Sequence, residues 1–102
     1  MATVRFRPLA ASDLERIWHY TLERSGADQA VTYTNRIADT CHNLANGNLP
    51  GVDISDIRAG YRKQVSGRHV IYFRAVADQS ETIAVIRILH HSMDATTRLA
   101  TD

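Results

Sequence analysis

Residues 56–74 read DIRAGYRKQVSGRHVIYFR, and the pattern of this stretch decides the fold. Two runs of alternating side chains flank Ser66-Gly67, which predicts two antiparallel strands joined by a tight turn. In the first run Ile57, Tyr61 and Val65 point one way, and Arg58, Gly60, Arg62 and Gln64 point the other. Lys63, Arg68 and Arg74 add to the charge, and within this stretch no acidic residue follows Asp56. The expectation is a hairpin with one apolar face and one arginine face.

Outward from this hairpin, the C-terminal side adds one more strand. Three strands in meander order are expected at about Asp56–Val65, Arg68–Val76 and Thr82–His90, with Ala77–Glu81 as the second hairpin loop. A two-residue turn at Ser66-Gly67 sets Tyr61 opposite Tyr72, Arg62 opposite Ile71 and Gly60 opposite Phe73. The second loop sets Arg74 opposite Ala84 and Ile71 opposite Arg87. One sheet face then carries Ile57, Tyr61, Val65, Val70, Tyr72, Ile86 and Ile88. The other carries Arg58, Arg62 and Arg87 among Ile71, Phe73, Val85 and Leu89. A slip of one residue inverts this assignment, because the side-chain period is two. The tail from His91 is short and polar, with Met93 and Leu99 as anchors.

On the N-terminal side, Thr3 to Arg7 alternates as a short strand, at a sheet edge or paired with the last strand. Pro8 suits a first helical position, where its missing N–H costs nothing. Leu9 to about Arg24 reads as a helix with Leu14, Ile17, Trp18, Thr21 and Leu22 on one face. Gly26 ends it as a left-handed cap. A second helix runs from Ala27 or Asp28 to about Asn46, with Ala30, Tyr33, Ile37, Cys41, Leu44 and Ala45 as its stripe. Asn46-Gly47-Asn48 stops it, and Leu49–Ser55 is a loop. Two amphipathic helices with so short a connection form an antiparallel hairpin. The fold class is therefore α+β: an N-terminal strand, then a helical hairpin packed on one face of an antiparallel sheet that ends in a three-stranded meander.

Composition sets the outer bounds. At 102 residues the chain is one domain, residues 1–102, and its net charge of +1 gives no bulk argument for nucleic acid or membrane. Cys41, the one cysteine, cannot form an internal disulfide and reads as a small buried hydrophobe. No cysteine-built metal site, cofactor motif, signal peptide or transmembrane run is present in the sequence, so a cytoplasmic protein is expected.

PLAASDLERIWHYT, DIRAGYRK, GRHVIYFR and IRILHHSMD, in this order and spacing, resemble the ParE branch of the RelE/ParE toxin superfamily across essentially the whole chain. The resemblance implies the toxin half of a type II toxin–antitoxin module. ParE-like toxins poison DNA gyrase, trap cleaved DNA and block replication, whereas relatives nearer RelE cut mRNA on the ribosome. It also implies a cognate ParD-like antitoxin in a hetero-oligomer, and contact with nucleic acid only through gyrase or the ribosome. The RelE-type ribonucleases carry an arginine just before the middle strand's "LVY" and a basic lysine pair. Here that strand reads His69-Val70-Ile71-Tyr72-Phe73 and Lys63 is the only lysine, which favours the gyrase branch.

Arg58, Arg62 and Arg87 are the expected target-binding residues, since a guanidinium presents a donor fork suited to carboxylates and phosphates. In the alternative ribonuclease reading the same three stabilise phosphate charge, and His90 or His91 moves a proton. In the favoured reading the chain has no catalytic residue of its own, because the chemistry belongs to the topoisomerase. No metal ligand set is recognised. Trp18 and Leu22 are the expected antitoxin-binding residues, on a segment crossing the helical hairpin and a sheet edge.

Overall fold

A computed structural model describes residues 1–100. The chain runs β1 (Thr3–Phe6), α1 (Pro8–Ser25), α2 (Ala27–Ala45), β2 (Val52–Asp53), β3 (Arg62–Ser66), β4 (His69–Ala75), β5 (Thr82–His90) and α3 (Ala95–Leu99). The architecture is α+β, with a helical hairpin on one face of a five-stranded sheet ordered β1-β5-β4-β3-β2. β1 pairs in parallel with β5 and the other pairings are antiparallel, so the sheet is mixed. No helix among the described residues is long and apolar enough to cross a membrane.

Both long helices stand where their periodicity sets them. Pro8 opens α1, and Gly26, with φ of +90°, separates α1 from α2. The buried stripe of α1 is Ala10, Asp13 and Ile17, and that of α2 includes Ala30, Ile37, Cys41 and Leu44. Cys41 is fully buried, and burial pushes its thiol up to about 12, so it is the inert hydrophobe that its position implied.

The meander departs from expectation at three places. First, residues 54–61 form a hydrogen-bonded turn rather than the start of a strand. The Ile54 carbonyl accepts from the Ile57 and Arg58 amides, the Ile54 amide donates to the Tyr61 carbonyl, and Gly60 takes φ of +81°. The Asp53 carboxylate accepts from the Ser55 amide, a local bond that competes with extended pairing. β3 therefore starts only at Arg62, and two residues of the expected loop form β2.

Second, the hairpin turns on Gly67-Arg68. Ser66 pairs with His69, Arg62 faces Phe73 and Tyr72 faces Lys63. Gly67 has φ of +60°, which a two-residue hairpin favours at its first central position. The Tyr33 ring packs so closely there that a Cβ on Gly67 would stand 2.7 Å from it.

Third, Arg74 faces Ala84 as expected, but the register then shifts between Tyr72 and Phe73, so Phe73 meets Val85 while Tyr72 meets Arg87. Ile86 is the extra residue of this bulge. The faces are consequently inverted over most of the sheet. Ile71, Phe73, Ile83, Val85 and Ile88 pack on the helices with Ile17, Ile37 and Cys41. Tyr61, Val70, Tyr72, Ile86 and Leu89 form a second cluster on the far side, closed by Ile54 and by Leu99 of α3. Ile57 and Val65, expected toward the helices, are exposed. Leu99 anchors the tail as expected, while Met93 is exposed.

Candidate functional site

The three arginines expected on one face do not share one. The bulge at Ile86 turns Arg87 toward α1, where its Nε donates to Asp13 Oδ2 at 2.7 Å and its Nη2 to Asp13 Oδ1 at 2.9 Å. Both side chains are buried, 8% and 4% exposed. The Ile88 amide also donates to Asp13 Oδ2 at 3.0 Å, and Arg16 Nη2 to Oδ1 at 2.8 Å. Burial by itself raises the carboxyl's pKa. The hydrogen bonds from Arg87, Ile88 and Arg16 outweigh it, and Asp13 is held below the usual carboxylate range. Arg87 thus ties β5 to α1 and is withdrawn from the surface.

Arg58 and Arg62 have structural ties of their own. Arg58 Nη1 donates to the Leu99 carbonyl at 2.8 Å, at the C-terminal end of α3, and its guanidinium lies 5.5 Å from the centre of the Tyr61 ring. A cation at a helix C-terminus is favoured by the exposed carbonyls there. Arg62 donates from Nε to the Pro50 carbonyl at 2.9 Å and from Nη2 to the Gly51 carbonyl at 3.2 Å, with Asp53 at 3.7 Å. Each of the two still reaches solvent in part.

His90 belongs to a row of rings at the Gly67 end of the sheet. Its ring centre lies 5.5 Å from His69 and 4.3 Å from His91, and its Nδ1 is 2.7 Å from Ser92 Oγ. The Tyr33 hydroxyl accepts from the Arg68 amide at 3.0 Å and lies 2.6 Å from His69 Nδ1. Its own hydrogen is free to point at His69 Nδ1, an arrangement that goes with the neutral tautomer protonated at Nε2. Burial, with His90 and His91 alongside, lowers the His69 pKa to about 4, against a smaller opposing pull from Asp13. No group of three or more histidine, cysteine or acidic residues among the described residues is arranged to hold a metal ion.

On the helical side, β1, α1 and α2 enclose an open groove of about 380 Å³ lined by Phe6, Ala11, Leu14, Glu15, Trp18 and Thr34. Trp18 is half-buried on its wall. Leu22, one turn further along α1, is 37% exposed. The groove is almost wholly apolar, and Phe6 supplies the sheet-edge side of it.

A model of the ParE toxin of type II toxin–antitoxin systems matches residues 4–95 of this chain. The chain belongs to the ParE toxin family. Its ParE relatives include Toxin ParE1 of Caulobacter vibrioides, 34% identical over 97% of this chain and 99% of that protein. Toxin ParE1 of Mycobacterium tuberculosis is 37% identical over 85% of this chain and 87% of that protein. Among solved structures, the chromosomal ParDE system of P. aeruginosa superposes with a TM-score of 0.70 at 20% identity, covering 88% of this chain and 96% of that one. The RelBE2 toxin–antitoxin complex of Mycobacterium tuberculosis gives 0.56 at 19% identity, covering 88% of this chain and 98% of that one. At those identities the two structures speak for the fold.

Within this ParE-family fold the sequence reading missed two features. One is Asp13, which lies three residues after Ala10 and four before Ile17, on the buried stripe. An acid at such a position is the available sequence signal for a buried partner. Phe6 was assigned only to a strand, and its place beside Trp18 depends on β1 lying parallel to β5 under the hairpin.

Proposed function

We propose that this ParE-family toxin arrests growth by binding DNA gyrase, and that a ParD-like antitoxin neutralises it by seating apolar side chains in the groove at Trp18. Family membership supports the first half. The observation that carries the second is the apolar groove itself, left open between α1, α2 and β1. Exposed Leu9 and Leu22 lie on α1 and exposed Val31 on α2, extending the apolar character of the hairpin. A groove of this kind accepts an amphipathic segment by burying its apolar face. Arg58 and Arg62 are the two expected target contacts that keep some exposure, and they are proposed to meet gyrase. Arg87 would serve that surface only by holding β5 to α1.

The ribonuclease alternative needs Arg58, Arg62, Arg87 and His90 to gather on one phosphate. The engagement of Arg87 with Asp13 and of Arg62 with the Pro50-Gly51 carbonyls argues against that gathering. The deciding experiment is a supercoiling and cleavage assay with purified gyrase, run beside Arg58→Ala and Arg62→Ala variants whose folding is checked by thermal melts. Wild-type protein is expected to block supercoiling or accumulate cleaved DNA, and the variants to do so less. Unaffected gyrase at saturating toxin would refute the gyrase half. New mRNA ends on induction would then support the ribonuclease, and normal growth an antitoxin-binding remnant.

For the antitoxin half, Trp18→Ala and Leu22→Ala are each expected to weaken binding of a ParD-like antitoxin about tenfold, as buried anchor residues do. Titration calorimetry on the purified pair measures this. Unchanged affinity in both variants places the antitoxin elsewhere.

A further inference from the structure

Opposite the helical hairpin, the sheet carries a second depression, of about 320 Å³. Its frame is set by register. Arg5 on β1 and Arg74 on β4 are both the Cα partners of Ala84 on β5, so the three residues form one row across three adjacent strands. Val4 packs with the helix-side core, which puts its neighbour Arg5 on the far side, where Ala84 is buried. The small Ala84 side chain leaves a trough between two long ones. Arg7 stands at its rim, and Val76 completes the apolar lining on this side.

These arginines differ from the three discussed above. Among the described residues, no carboxylate pairs with Arg5, Arg7 or Arg74, and none of their guanidiniums donates to a backbone carbonyl. Arg5 and Arg7 are exposed and Arg74 is half-buried. Three unpaired cations around an apolar floor are mutually repulsive, and a bound anion relieves that repulsion.

We infer that this trough docks an extended acidic segment of a protein partner, with carboxylates meeting Arg5 and Arg74 on either side of an apolar side chain that covers Ala84. The spacing fits. Strands lie about 4.8 Å apart, so Arg5 and Arg74 start roughly 10 Å from each other. Two carboxylates four residues apart on an extended peptide point to one side, about 13 Å apart with an apolar residue midway between them, and the two long arginine side chains splay to that span. The apolar floor is the reason for choosing a peptide over a nucleic acid, whose phosphodiester backbone would leave Val76 and Ala84 uncovered. The inference does not depend on gyrase being the toxin's target.

The test uses the full chain and a fluorescein-labelled peptide, Gly-Gly-Glu-Thr-Leu-Thr-Glu-Gly-Gly, followed by fluorescence anisotropy at low salt. Saturable binding is expected, weakened about tenfold or more by Arg74→Gln or Arg5→Gln, since each change removes a charge-assisted contact. Arg36→Gln, on an exposed position of α2, is expected to leave binding unchanged. The glutamine version of the peptide is expected to bind at least tenfold more weakly. Thermal melts of the variants separate lost contact from lost folding. Absence of saturable binding, equal binding of the glutamine peptide, or indifference to both arginine variants overturns the inference. Tighter binding of a single-stranded oligonucleotide of equal charge also overturns it, in favour of a phosphate-binding face.

Discussion

Asp13→Ala is expected to cost about 3–5 kcal/mol of folding stability, the range for removing one partner of a buried ion pair. The substitution removes the two hydrogen bonds that Arg87 donates to Asp13, at 2.7 and 2.9 Å, in a site where the two side chains are 8% and 4% exposed. It also deprives the buried Ile88 amide of its acceptor. Arg16, itself largely exposed, loses only a partner that water replaces. Domains of this size hold on the order of 5–15 kcal/mol in total, so one such loss takes a large share. A urea melt measures it. The double variant Asp13→Leu with Arg87→Met is expected to recover much of the loss, because a well-packed apolar pair avoids burying an uncompensated charge. A single variant within about 1 kcal/mol of wild type would show that Arg87 finds equivalent contacts without Asp13.

The same pair shows where sequence reading stopped. The helices were legible because each has one apolar stripe and one polar face, so period and phase come together. β5, TIAVIRILH, has no polar face from which to take a phase, and it is buried along nearly its whole length. One side lies under the helical hairpin, and the other under Ile54, Tyr61 and α3. With both faces apolar, only the strand neighbours set the phase, and a bulge at Ile86 changes it halfway along. Every conclusion about which way Arg87 or Tyr72 points inherited that ambiguity.

The arginines were legible as a population and illegible as a site. Composition showed eleven of them, five in the meander and six outside it. Which of them remain available depends on carbonyls no pattern reveals: Pro50 and Gly51 for Arg62, Leu99 for Arg58. Arg5 and Arg74 come together only because β1, from the far end of the chain, lies parallel to β5, which in turn pairs with β4. The stripe position of Trp18 on α1 could be read directly, whereas the groove beside it also needs Phe6 of β1.

Acid is expected to weaken the fold in two steps, the first of them between about pH 6.5 and pH 4. His69 is the origin of this step. In the unfolded chain it takes up a proton near its ordinary value of 6.5, whereas in the fold it resists protonation down to about 4. Above pH 6.5 the ring is neutral in both states and contributes nothing to the pH dependence. As pH falls below that, the unfolded state binds the proton first and stability declines until the folded ring protonates too. The shift corresponds to on the order of 2–3 kcal/mol, reduced from the full Coulombic and desolvation figure because the ring is only partly buried. Protonation also reverses the bond to Tyr33: an Nδ1–H cannot accept, so the hydroxyl hydrogen must turn to the Ser66 carbonyl, 3.5 Å away. His90 and His91 beside the ring oppose the new charge, and Asp13 favours it weakly. Asp13 carries the second step. Its folded-state pKa is lowered, so its contribution is present above about 3.8 and is lost as pH falls through the folded value. Urea melts from pH 8 to pH 3 separate the two. Wild type is expected to lose stability across the first window, and His69→Gln, which keeps an acceptor for Tyr33 but does not titrate, to hold level there and fall only below pH 4. A His69→Gln profile parallel to wild type would assign the first step to another group.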